Sequence, residues 1–114
     1  MKRLFIVSVA ALLATSGLAF ADGIEGKWKT DSGATAEIAP CGSAFCITLI
    51  DSPHKGKQIG RMNADGDNRY SGKITDPKND KTYAGKGTLS GNALSMKGCV
   101  LGGLICRGQN WTRL

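Results

Sequence analysis

The residues with most chemistry to offer are four cysteines, a single histidine and a closing Trp-Thr-Arg. Cys41 and Cys46 frame "CGSAFC", and Cys99 and Cys106 frame "CVLGGLIC". As thiolates, such residues attack electrophiles or hold metal ions; as disulfides they do neither. The second stretch lacks the C-x-x-C spacing of a redox motif. His54 sits in the turn-like "SPHKGK" and reads as a solvated side chain. No Ser-His-acid arrangement can be assembled without it. "NADGDN" has closely spaced acids, but Tyr70 stands where the glycine of a calcium loop belongs. The expectation is a protein that is not an enzyme, with no metal and no cofactor.

The cysteines gain their meaning from the start of the chain. Lys2 and Arg3 precede an apolar run from Leu4 to Ala14 broken only by Ser8, and Ala19-Phe20-Ala21 fits an A-x-A cleavage site. Residues 1–21 therefore read as a secretory signal peptide, too short in its apolar part to span a membrane comfortably. The expected product is a periplasmic or secreted domain over residues 22–114, without a membrane span. An even number of cysteines in such a chain makes disulfides the default. A domain this small also needs staples, because it buries proportionally little surface.

Loss of Lys2 and Arg3 brings the formal net charge from +6 to +4. The cations are scattered, with no aromatic-rich basic run of the kind that stacks on bases, so nucleic acid is not an expected partner. A mildly basic, solvated surface is expected; weak attraction to anionic envelope polymers or lipid head groups is the alternative.

The elements that must position these residues are strands. No long amphipathic helical pattern follows the signal; short partly alternating stretches recur between turn-forming clusters. Eight strands are predicted at Ile24–Thr30, Ala34–Ala39, Phe45–Ile50, Lys57–Met62, Arg69–Thr75, Lys81–Leu89, Asn92–Leu101 and Leu104–Arg113. The punctuation between them, such as "DSG", "DSPHKG" and "DPKND", is turn chemistry.

Two hairpins can be registered by arithmetic. With Gly102-Gly103 as the central pair of a two-residue turn, Cys99 faces Cys106 and Leu94 faces Trp111. A looser turn around "PCGSAFC" would set Cys41 against Cys46 and Ile38 against Leu49. Facing residues approach closely enough for a disulfide. Two local staples are therefore preferred, Cys41–Cys46 and Cys99–Cys106, outside the core, each contributing about 2–3 kcal/mol; crossed pairing is the alternative, because four cysteines allow three connectivities.

Alternation then assigns faces. Ile24, Gly26, Trp28 and Thr30 share one face of the first strand, and Trp111 and Arg113 share the face of Ile105 on the last. Neither face of the fourth strand is clearly apolar. First and last strands pair in a closed barrel, which would bring Arg113 over the ring of Trp28.

"GKW" at Gly26-Lys27-Trp28, with Arg113 near the end, resembles the G-x-W and crossing Arg or Lys of lipocalins and related calycin barrels. "GKWKT", "AEIAPCGSAFC", "GKITDPKNDKTYAGK" and "MKGCVLGGLICRGQNWTR" resemble more closely a family of exported bacterial proteins, the domain of unknown function 2147 family. The chain departs from that pattern at Ile47, where a glycine is usual, and in a short stretch after the third strand. The resemblance implies an all-β, antiparallel, eight-stranded lipocalin-like up-and-down barrel.

Barrels of this size pack full or hold one small ligand. Gly26, Gly72, Gly85 and Gly87 fall on the expected inner face, where missing side chains leave space. That space is either a pocket lined by Trp28, Tyr70, Tyr83, Trp111 and Arg113, or room for the two indoles and for strand curvature. Two functions are therefore expected in competition. One is a carrier of a small apolar or amphipathic molecule, with Arg113 near any acidic head group. The other is a filled barrel whose Lys27, Lys29, Lys73 and Lys86 meet an anionic envelope component.

Overall fold

A computed structural model describes residues 23–51 and 53–114, so the expected signal peptide lies outside the described residues. Eight antiparallel strands close into a barrel in sequence order. They are β1 (Gly26–Lys29), β2 (Thr35–Cys41), β3 (Ala44–Leu49), β4 (Gln58–Gly66), β5 (Arg69–Asp76), β6 (Lys81–Ser90), β7 (Ala93–Val100) and β8 (Ile105–Arg113). All eight expected strands are present with shifted ends. The largest shift is in β4, which runs on through "NADG", leaving Asp67 and Asn68 alone as the turn.

The last hairpin has the expected register, with Cys99 facing Cys106 and Leu94 facing Trp111. Its ladder ends one pair early, at Val100 and Ile105. Leu101 turns to φ 54°, and Gly102 and Gly103 follow at φ 67° and 96°. The N–H of Leu104 donates to the carbonyl of Leu101 across this tip.

The first hairpin needs a correction. Cys41 faces Ala44 and Ile38 faces Ile47, not Cys46 and Leu49. The turn is a tight one over Gly42 and Ser43, with Gly42 at φ 70° supplying the left-handed residue it requires. Register moves by two residues, which leaves every side chain on its expected face. Cys41 and Cys46 still bond, now diagonally, at a Cα separation of 5.7 Å against 4.0 Å for the directly facing Cys99 and Cys106. Cys41, Cys46 and Cys106 lie outside the core as expected, whereas Cys99 is buried, 2 % exposed.

The fourth strand was ambiguous because it carries a bulge. Ile47 pairs with Gly60 and Thr48 with Gln58, so Ile59 is the extra residue. Below the bulge Met62 and Gly60 face inward; at it Ile59 is buried as well, and period-2 alternation fails.

Connections alternate between the ends of an up-and-down barrel. One end holds the β2–β3, β4–β5 and β6–β7 turns and the C-terminus, the other the β1–β2, β3–β4, β5–β6 and β7–β8 connections. Trp28, with no exposed surface, packs at the first end with Ile24, Ile38 and Ile47. Its indole N–H donates to the Ile24 carbonyl at 3.0 Å. Arg113 pairs with Trp28 in the β1–β8 ladder, and its guanidinium carbon stands 4.3 Å from the ring centroid. The same guanidinium donates to the carbonyls of Glu25 and Gly23. This end is closed.

Gly26 explains the glycine of G-x-W. Its φ of 128° suits no other residue, and a Cβ there would stand 3.3 Å from the Arg113 guanidinium.

Candidate functional site

The opposite end is open. A cavity of about 890 Å³ enters the barrel there, within the roughly 300–1,000 Å³ typical of small-molecule sites. Its apolar wall is Leu49, Ile59, Ile74, Tyr83, Met96 and Trp111, one from each of β3 to β8. Ile59 reaches it because of the bulge. Trp111 is 2 % exposed and fixed by its indole N–H, which donates to Gln109 at 2.8 Å.

The mouth is polar. Thr30, Asp51, His54, Asp76 and Lys78 line it from loops and strand ends, and Arg107 and Gln109 line it from within β8. His54 lines this rim, its carbonyl accepting the Lys57 N–H in the β3–β4 connection. Asp51 ties that connection to β2, since both carboxylate oxygens accept from the Thr35 N–H at 3.0 and 3.1 Å. These bonds, aided by the charge of Lys29, hold the Asp51 carboxyl below its usual range.

A depressed folded-state pKa means the carboxylate favours folding above the unfolded value near 4 and loses that contribution as pH falls through the folded value. Asp51→Asn is therefore expected to flatten the fall in melting temperature between neutral pH and about pH 3. Parallel melting curves for the two proteins across that window would contradict the assignment.

β8 explains why the cavity opens sideways as well as upward. Only Arg113 and Thr112 pair with the short β1, while Ile105 to Asn110 are exposed and held by β7 alone. The gap beside them is bridged at one point, where the Asn110 N–H donates to Asp31.

The five residues expected to line a pocket are divided between the two ends of the barrel. Tyr83 and Trp111 line the cavity. Trp28 and Arg113 do not, being packed at the closed end, and Tyr70 stacks edge-on against Phe45 with ring centroids 6.1 Å apart. Arg113 cannot meet a ligand head group in the cavity, because carbonyls and an indole occupy its guanidinium. Arg107 is the arginine at the mouth. The alternation that joins Trp111 and Arg113 to Ile105 runs through Arg107 and Gln109, so these two were legible.

The expected glycines do not line the cavity either. A Cβ at Gly85 would meet the Met62 sulfur at 3.2 Å, one at Gly87 the Met96 sulfur at 3.1 Å, and one at Gly72 the backbone of β4. Methionines and neighbouring strands fill those spaces, not indoles.

On the outer face, register places like charges opposite one another: Arg61 faces Lys73, and Lys86 faces Lys97. A depression of about 360 Å³ lies beside them, lined by Asp65, Arg69, Tyr70, Lys86 and Lys97 together with Ser71, Thr88 and Ser95. Lys27 is exposed, and the Lys29 ammonium donates to Gly33 and Thr35. The one ion pair among the described residues is Lys57–Asp80, which holds the Asp80 carboxyl below its usual range.

Among the described residues no group of three or more His, Cys, Asp or Glu could hold a metal ion, and no helix is long and apolar enough to cross a membrane. Neither the curated proteins nor the solved structures contain a significant match to the chain. A family profile does match, over residues 26–113, from the glycine of G-x-W to the arginine that crosses its tryptophan. The chain thus belongs to the DUF2147 family, described as uncharacterized protein conserved in bacteria.

Proposed function

We propose that this protein is an exported, non-enzymatic binder of a small apolar or amphipathic molecule, held in the open end of the barrel. One observation carries the reading: a cavity with an apolar wall and a polar mouth that bears Lys78 and Arg107 beside Asp51 and Asp76. Ligand chains would lie against Ile59, Ile74, Tyr83 and Trp111. A polar or acidic head would sit at the rim near Lys78 and Arg107. Two disulfides suit an oxidising compartment, and periplasm or secretion is the proposed location.

Titration with cis-parinarate tests this. Saturable one-to-one uptake with quenching of Trp111 emission is expected. Ile74→Asp, which puts a charge into the apolar wall at a half-buried position, should weaken uptake by about tenfold or more. Absence of saturable uptake, or uptake indifferent to Ile74→Asp, would count against the cavity.

A second reading draws on the opposed cations. Like charges directly across a ladder are destabilising, so an anionic envelope component on the outer face would relieve Arg61–Lys73 and Lys86–Lys97. Salt-sensitive binding to anionic polymer that survives Lys73→Glu with Lys86→Glu would eliminate it.

A further inference from the structure

Five large hydrophobic side chains are exposed among the described residues, and four sit together on the β7–β8 tip. Val100 is 38 %, Leu101 68 %, Leu104 84 % and Ile105 56 % exposed. Scattered exposed aliphatics need no explanation; four at one apex do. Leu101 is at φ 54°, a conformation that glycine or asparagine would adopt at lower cost, so an apolar side chain is kept at the apex despite its backbone. The Cys99–Cys106 bridge lies directly beneath and holds the tip in shape.

Two cations stand just below. Lys97 faces Gly108 and Arg107 faces Gly98, one on each face of the hairpin. At about 3.4 Å per residue they lie roughly 7–10 Å from the apical pair Val100–Ile105. Neither has a carboxylate partner, since Lys57–Asp80 is the one ion pair among the described residues. An apolar wedge with cations at that depth matches a bilayer interface, where aliphatic groups enter the acyl boundary and cations meet anionic head groups. Tip-to-tip contact with a second copy would instead oppose Lys97 and Arg107 of both chains.

The tip also borders the mouth: Val100, Ile105 and Arg107 all line the cavity. We propose that the β7–β8 tip inserts into the surface of an anionic lipid bilayer and that the cavity exchanges its ligand with that bilayer. The second half rests on the cavity reading above; the first does not.

Co-sedimentation with vesicles of phosphatidylethanolamine and phosphatidylglycerol, compared with vesicles of phosphatidylcholine alone, tests the docking. Preferential binding to the anionic vesicles is expected. Leu101→Asn with Leu104→Ser, both outside the cavity wall, should weaken it by about tenfold or more without lowering the urea midpoint and with parinarate uptake in solution unchanged. Lys97→Gln with Arg107→Gln should weaken it by about tenfold on anionic vesicles only. No vesicle binding by the native protein, or binding indifferent to the tip variant, overturns the proposal. So does concentration-dependent dimerisation through the tip without vesicle binding. Vesicle binding without parinarate uptake removes ligand exchange and the cavity reading together, and leaves the docking intact.

Discussion

Trp28→Ala is expected to cost about 3–5 kcal/mol, most of the stability a domain of this size has. The indole has no exposed surface and stands at the centre of the closed end. Its removal leaves a cavity that β-strands held by two ladders cannot collapse around. It also strips Arg113 of its ring, adding a cation–π loss of about 1–2 kcal/mol within that figure. The seam makes this severe. Only Trp28–Arg113 and Lys29–Thr112 pair between β1 and β8, so side chains carry much of the closure. Urea unfolding followed by far-UV dichroism gives the value directly. A loss below about 1 kcal/mol would mean that the closed end does not hold the barrel together.

Gly72→Ala should be comparably damaging for a different reason. A Cβ there would lie 2.0 Å from the Arg61 carbonyl oxygen and 2.9 Å from the Met62 Cα. Gly72 pairs with Met62 on one side and Gly85 on the other, so β5 cannot move away from β4 without breaking its ladder to β6. A backbone clash of this kind belongs to the class that costs about 4 kcal/mol or more. Gly85→Ala is the control. Its Cβ would meet the Met62 sulfur, the flexible end of a side chain, at 3.2 Å, and about 1 kcal/mol is expected. Equal urea midpoints for the two variants would contradict the close approach of β4 and β5.

Much of this barrel was legible because its signals are local. Turn residues and alternation locate all eight strands, and Gly102-Gly103 fixes the last register. Trp28 and Arg113 meet because a closed barrel leaves their strands nowhere else to pair. The first hairpin's register was not legible, since a two-residue slip preserves every face and both registers let Cys41 reach Cys46. β4 hid its inner face behind the bulge at Ile59.

The cavity was the hardest feature to foresee. Counting inward glycines locates missing side chains, but Met62 and Met96 arrive from neighbouring strands to fill the gaps. Space opens where β1 is too short to cover β8, a length difference that no single segment announces. Tyr83 and Trp111 were identified from their faces; Trp28, Tyr70 and Arg113 share the inner face but pack at the closed end.

The most direct test of the cavity reading is a native mass spectrum of the protein, directed to a periplasm and purified from it, before and after denaturation. A mass excess that vanishes on denaturation, with a small apolar or amphipathic molecule in the extract, is the predicted result. A bare mass corrected for two disulfides, unchanged after incubation with lipid extract, would contradict it and send attention to the opposed cations of the outer face.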